Sequence, residues 1–297
     1  MSSAAPLYAG AELGGTKCVL MLARGPHDIV AREQIPTGQP EVTLPAIEQV
    51  LAAWQSEHQF AALGIGSFGP LDLDPTSAGY GRITSTPKPG WAGAPVLDRL
   101  SQAAGVRIVI DTDVNGAALA EMRWGSGRGM DDFAYVTVGT GVGVGLIVNC
   151  QSTRGFAHCE LGHIRPQRLS GDHWPGSCPF HGDCVEGLVS GPALQARLGG
   201  RDATQLAPDD PVWESVGWAL AQLCHAIVCA AAPRAIAIGG GVVDSNPHLH
   251  ERIETMLVQS LNGYMQLPAD EPYVRAPELG RDAGPLGAIA LAMRATR

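Results

Sequence analysis

The sequence predicts an α/β protein of two similar lobes with an irregular, metal-held stretch inserted between their main elements, on three observations. Two segments open alike: YAGAELGGTKCVLML from Tyr8 and YVTVGTGVGVGLIVN from Tyr135 are each apolar, broken by a glycine-rich bend, then apolar again. Apolar runs of strand length alternate with runs of helix length in both halves, the pattern of a mixed sheet covered on both sides. Between the halves, residues 151–191 are rich in His, Cys, Gly and Pro and show poor periodicity. So long an irregular stretch inside a domain is usually functional, disordered or held by a metal.

Each of the two alike segments reads as a β-hairpin, because the residues after the bend alternate or run apolar over a strand's length. Their repetition points to an internal duplication. Residues 45–58 read as a helix leading into the strand LGIGSFGP, and VRIVIDTDVNGAALAEMRWG reads as strand, turn and helix, with the strand ending at Asp111 and the helix starting near Val114. In the second half a helix is expected over 212–231, then the strand RAIAIGG, a helix over 247–263 and an Ala-rich helix over 283–295. The expected lobes are 1–113 and 114–297, the second containing a metal loop at 158–187 and ending in a helix that packs back on the first.

Composition narrows the function classes. A chain of 297 residues is long enough for two compact lobes or one large domain. Its 20 Lys and Arg against 29 Asp and Glu give a net charge of -9, which argues against a general nucleic-acid or membrane-surface binder, since phosphate backbones and anionic lipids attract basic patches. The expected partners are small molecules and a second copy of the chain, a homodimer being the default for this size. No run of 18 apolar residues is present, and MSSAAPLYAG lacks the basic and apolar regions of a secretory signal, so a cytoplasmic protein is expected. Seven cysteines is an odd count without the density of a disulfide scaffold. Cys18, Cys150, Cys224 and Cys229 lie in apolar runs where cysteine is most often a small buried hydrophobe.

The remaining cysteines stand out by spacing. His163, Cys178, His181 and Cys184, separated by 14, 2 and 2 residues, supply two imidazoles and two thiolates, the donor set of a closed tetrahedral zinc site. With no open position such a zinc is structural. His158, Cys159 and His173 are competing ligands nearby. Two other readings fail: GTGVGVG does not meet the spacing G-x-G-x-x-G and precedes the strand-like LIVN instead of a helix, and the chain lacks G-x-x-x-x-G-K-[ST], so Lys17 is not a P-loop lysine.

Four motifs in order, ELGGTK (12–17), DTDVN (111–115), GTGVGVG (139–145) and ELGH followed by CPFHGDCVEG, resemble the ROK family of sugar kinases and repressors. The resemblance covers nearly the whole chain and implies the two-lobed fold of the actin and hexokinase ATPases (ribonuclease H-like), with nucleotide and sugar meeting in the cleft. Glu12 in place of the commoner Asp, DTDVN, a two-cysteine CPFHGDC and TPKPGW (86–91) are similar to the family's fructokinase variants. The implied activity is ATP-dependent phosphorylation of a hexose, fructose first, with glucokinase, mannokinase, N-acetylhexosamine kinase or a non-catalytic sugar-binding regulator as alternatives. A repressor would carry a helix-turn-helix ahead of the first motif, which begins only eleven residues in.

Phosphoryl transfer needs donors for the polyphosphate, a metal to neutralise its charge and a base for the acceptor hydroxyl. Gly14, Gly15 and Thr16 form a bend without bulky side chains at its centre, so backbone N–H groups could approach phosphate oxygens; Gly139, Thr140 and Gly141 would be a second jaw. Either bend alone is equally an ordinary hairpin turn. Asp113 is the expected general base, just past a strand and at the mouth of a helix, although Asp111 or Asp113 could instead cap that helix. The resemblance implies magnesium held with the help of Glu12, nucleotide contact at Lys17, sugar contact at Gly66, Glu160, His163 and Glu186, and adenosine contact at Gly240 and Gly241. Glu12 with Lys17 could also be an exposed ion pair.

Overall fold

The computed structural model describes residues 5–296, which divide into two compact units. Of the described residues, the first takes 5–125, Thr153–His158 and 279–296; the second takes Ser126–Ser152 and Cys159–Glu278.

In the first unit β1 (Tyr8–Leu13), β2 (Lys17–Gly25) and β3 (Asp28–Pro36) form an antiparallel ribbon. α1 (Pro40–His58) leads to β4 (Ala62–Ser67), and α2 (Val96–Ala104) leads to β5 (Arg107–Thr112) and α3 (Asp113–Trp124). β4 lies parallel to β1 and β5 parallel to β4, giving the order β3-β2-β1-β4-β5. Side chains alternate across a strand, so Ala9, Ala11 and Leu13, with Leu20, Leu22, Leu63 and Ile65, meet Leu44, Ile47 and Leu51 of α1 and Leu100 of α2 in one core.

In the second unit β6 (Phe133–Val138), β7 (Val142–Val148) and β8 (Gln151–Ser152) form another antiparallel ribbon, followed by the short α4 (Val185–Val189) and α5 (Gly191–Arg197). α6 (Val212–Ala231), β9 (Ile236–Gly239), α7 (Gly241–Asp244), α8 (Leu249–Leu261) and β10 (Val274–Arg275) complete it. The order β10-β9-β6-β7-β8, with β9 parallel to β6 and β10 parallel to β9, repeats the first sheet strand for strand, so the duplication extends from the hairpins to the whole topology. Among the described residues α6 alone is long and apolar enough to cross a membrane, but Trp213, Val216, Leu220, Leu223 and Ile227 make it a core helix packed with Leu249, Ile253 and Leu257 of α8.

The last helix, α9 (Ala283–Arg294), belongs to the first unit and covers the second face of its sheet. It lies flush because that face is small: a Cβ on Gly64 would fall 1.9 Å from the carbonyl oxygen of Ala288, and one on Gly287 2.4 Å from the backbone of Gly116 in α3. This packing divides the chain elsewhere than the expected lobes do. α3 is held against α9, so the first unit runs past 113 to Gly125, and 153–158 also return to it, which starts the metal loop's unit at Cys159. Element ends shift more modestly. α1 begins five residues before the expected position because Pro40 occupies the helix's first turn, where no N–H is missed.

Candidate active site

In the first unit the register sets Glu12, Gly66 and Asp111 side by side across β1, β4 and β5, near the carboxyl ends of three parallel strands, where α/β sheets bind ligands. Asp113 follows as the first residue of α3. The cap of that helix is neither aspartate: Thr112 takes the position and its hydroxyl accepts from Asn115 N. Asp111 is committed to structure, accepting from Thr112 N at 2.8 Å and Asn115 Nδ2 at 2.7 Å. The Asp113 carboxylate, half-buried, accepts from its neighbour Val114 N at 2.9 Å. Gly66 admits this helix start, since a Cβ there would lie 3.3 Å from Asp113 Cα.

Glu12 lies on the α9 side of the sheet, where a Cβ on Gly284 would fall 1.9 Å from its carboxylate. Burial first, then the negative charge of Asp113, push its pKa from 4.5 to about 7, with Lys17 and Arg32 working the other way. Lys17 is exposed at the start of β2.

The two glycine bends occupy equivalent points, between β1 and β2 and between β6 and β7. Gly14 N donates to Lys17 O at 3.0 Å to close the first, leaving Gly15 with open space around its α-carbon. In the second, Gly139 N donates to Gly141 O at 2.9 Å, while Gly139 O accepts from Gly191 N at 2.8 Å at the start of α5; Thr140 sits at its centre. A carboxylate leans on this bend: Glu186 accepts from Val142 N at 3.1 Å, and a Cβ on Gly141 would be 2.7 Å from it. Gly240, at φ 93°, lets the chain leave β9 past Val138 of β6, and Gly241 beside it faces open space.

The irregular stretch brings His163, Cys178, His181 and Cys184 together with all donor atoms within 4.8 Å of one another. Cys178 Sγ lies 3.8 Å from His163 Nδ1 and 3.7 Å from His181 Nδ1, and Cys184 Sγ lies 3.6 Å from His163 Nδ1. These separations are close to the edges of a tetrahedron with S and N ligands at about 2.3 and 2.0 Å from a zinc ion, so the donor set fits that metal. His163 is positioned by a tight turn, Leu161–His163, lying so close to β7 that a Cβ on Gly162 would meet Val142 O at 1.9 Å. Its Nε2 is 4.0 Å from Glu186, which links the cluster to the second bend. Glu160 precedes the same turn, exposed, with its carbonyl accepting from His163 N. The competing ligands fall away: His158 is buried in the other unit with Nε2 accepting from Leu71 N at 3.0 Å, His173 is exposed, and neither these nor Cys159 joins the cluster. Sequence reasoning passed over Thr37 and Lys88, which bond the carbonyls of the first bend; they lie 21 and 72 residues or more from it in sequence, and only the TPKPGW segment signalled one of them.

Comparison with known proteins bears on this arrangement. The sequence profile of the ROK family matches residues 8–295. Over 293 residues the chain is 39% identical to the fructokinase of Zymomonas mobilis, covering 97% of each. Its fold matches the ROK hexokinase from Thermus thermophilus at a TM-score of 0.80 and 26% identity, over 98% of this chain and 99% of that one. It also matches a ROK family glucokinase from Streptomyces griseus, solved with glucose and AMPPNP, at a TM-score of 0.76 and 27% identity over 97% and 99%.

Proposed function

The chain belongs to the ROK family, its relatives make it a sugar kinase, and we propose that it transfers the terminal phosphoryl group of ATP to a hexose, fructose before others. The observation that carries the chemistry is the placing of Asp113: a carboxylate at the head of a helix, beside a row of strand ends, with its neighbour Asp111 already occupied by structural hydrogen bonds. Asp113 takes the proton from the attacking sugar hydroxyl as the oxygen bonds to the γ-phosphorus, and the bond from that phosphorus to the bridging oxygen breaks to release ADP. The Gly14–Thr16 bend offers backbone N–H groups to phosphate oxygens, and Gly139–Gly141 a second such bend. Gly240 and Gly241, without side chains, suit an approaching adenosine, and Lys17 adds positive charge near the first bend.

Magnesium accompanying ATP would neutralise phosphate charge; Glu12 is the group suited to hold it, because burial next to Asp113 makes its ionised form costly until a cation arrives. In the metal loop the two thiols and two imidazoles would hold zinc with no position left open, so the metal serves as a staple and takes no part in transfer. Glu186, between His163 and Val142, and Glu160, beside the same turn, would then accept hydrogen bonds from sugar hydroxyls, with His163 adding to the same wall and Gly66 leaving room beside Asp113.

Fructose is favoured by the identity to a fructokinase, 39%, against 27% to the glucokinase. The deciding measurement is kcat/KM for fructose, mannose, glucose and N-acetylglucosamine in a coupled ADP-release assay. Fructose should lead by about tenfold or more. A lead for glucose would overturn the choice of sugar, and absence of ADP release with every hexose would overturn the kinase reading itself.

A further inference from the structure

We infer that Thr37 and Lys88 are positioning residues that aim the first glycine bend at the nucleotide's phosphates. The inference rests on the reading of Gly14–Thr16 as a phosphate-binding bend. Three consecutive carbonyls of the bend each have a donor. Thr37 Oγ1 donates to Gly14 O at 2.8 Å, Lys88 Nζ donates to Gly15 O, and Thr37 N donates to Thr16 O at 3.0 Å. In a trans peptide unit the C=O of one residue and the N–H of the next point in opposite directions. Holding Gly14 O and Gly15 O therefore directs the N–H groups of Gly15 and Thr16 away from Thr37 and Lys88. Among the described residues neither of those N–H groups has a protein acceptor, and Gly15 has open space in front of it. A bend with free carbonyls could flip a peptide unit and present oxygens to an anion; this one cannot do so without breaking a bond to Thr37 or Lys88.

The clamps are themselves anchored. Thr37 lies between β3 and α1, and its neighbour Gly38 is fixed on both sides: Gly38 N donates to Thr43 Oγ1 at 2.9 Å, and Gly38 O accepts from Trp91 Nε1 at 2.8 Å. Trp91 is fully buried, edge-on to Phe68 with ring centroids 5.1 Å apart. Lys88 and Trp91 both belong to TPKPGW, so this segment reaches the bend twice, once through the Lys88 ammonium and once through Trp91, Gly38 and Thr37. The ammonium spends one donor on Gly15 O and brings a positive charge to the bend.

The test uses the full chain with Thr37→Val, Thr37→Ser, Lys88→Met and Lys88→Arg. Thr37→Val and Lys88→Met should each raise KM for ATP about tenfold while KM for the sugar stays within about twofold, and the Ser and Arg variants should recover most of the loss. Calorimetric titration should show weakened binding of ATP and unchanged binding of AMP, because only the outer phosphates meet the bend. An unchanged KM for ATP in both Val and Met variants overturns the inference. So does a rise in the KM for sugar equal to that for ATP, which marks a general folding role. If Thr37→Val fails to fold by thermal melting, the more accessible Lys88→Met decides alone. Failure of the kinase reading shows separately, as an unaltered chain that binds ATP and releases no ADP with any hexose.

Discussion

The bend between β1 and β2 and the bend between β6 and β7 stand at equivalent points of two sheets that run in the same strand order, and they are held by opposite means. The first has its carbonyls bound by a hydroxyl, an ammonium and a backbone N–H. The second has an anion against it, the Glu186 carboxylate accepting from Val142 N, and that carboxylate faces His163 of the metal cluster. The same contrast runs through the units that carry them. The first unit sets its carboxylates by register between parallel strands and by a capped helix start, whereas the second sets Glu160 in an irregular stretch and Glu186 in the short α4, next to the four converging Cys and His side chains. Duplication has copied the backbone; what packs against each copy decides its role. On the proposed function, proton transfer is accordingly expected to depend on the first unit's rigid elements, and sugar recognition on the second unit's Cys and His cluster and the zinc it would hold.

Asp113→Asn breaks the first half of that division most sharply. The amide keeps the shape and can still accept from Val114 N, but it cannot take a proton, so kcat should fall about 10²- to 10⁴-fold. Sugar affinity, metal content and melting temperature should stay at parental values, checked by steady-state kinetics, titration calorimetry and elemental analysis. Turnover close to that of the parent would remove Asp113 from the mechanism.

The second unit is probed by Cys178→Ser. Loss of one thiolate from a four-donor set should abolish bound zinc, measured by elemental analysis, and release the loop that positions His163 and Glu186. KM for the sugar should rise about tenfold or more while KM for ATP changes less, with a lower melting temperature because the metal's binding energy contributes to folding. Burial pushes the Cys184 thiol up to about 11, so metal must displace protons to bind, and retention should weaken on acidification. Normal sugar affinity in a zinc-free variant would show that the loop holds its shape unaided.

How far these features were legible in the sequence depends on how local their causes are. α6 was readable to its ends because length and apolar content agree over 20 residues, and both hairpins because a glycine bend between apolar strands is a short-range signal. The grouping of His163, Cys178, His181 and Cys184 was readable from spacing, and these four converge in the fold. The lobe boundary was not, because α3 joins the first unit through Gly116 meeting Gly287, far along the chain. Nor was the grip of Thr37 and Lys88 on the first bend, or of Glu186 on the second, since each contact exists only once separate elements pack. At Asp111–Asp113 the sequence allowed either acid to cap the helix; the hydroxyl of Thr112, between them, does so, and Asp111 binds Asn115.

Glu12 gives the smallest effect and the finest test of the first unit's electrostatics. Its pKa rises from 4.5 to about 7 in the folded protein, so between those values the folded chain retains a proton that the unfolded chain has released. Stability therefore falls as pH rises through that window, and the cost is complete above about 7. Glu12→Gln removes it. In urea denaturation without nucleotide or magnesium, the variant should match the parent near pH 4.5 and exceed it at pH 8 by on the order of 1–3 kcal/mol. Magnesium with ATP should narrow the gap at pH 8, because a cation bound beside Glu12 and Asp113 favours the ionised form in the parent and has lost that partner in the variant. A gap that widens as the pH is lowered would show that Glu12 is held charged by its surroundings, and the carboxylate row would then be a paired structural element with no need of a metal.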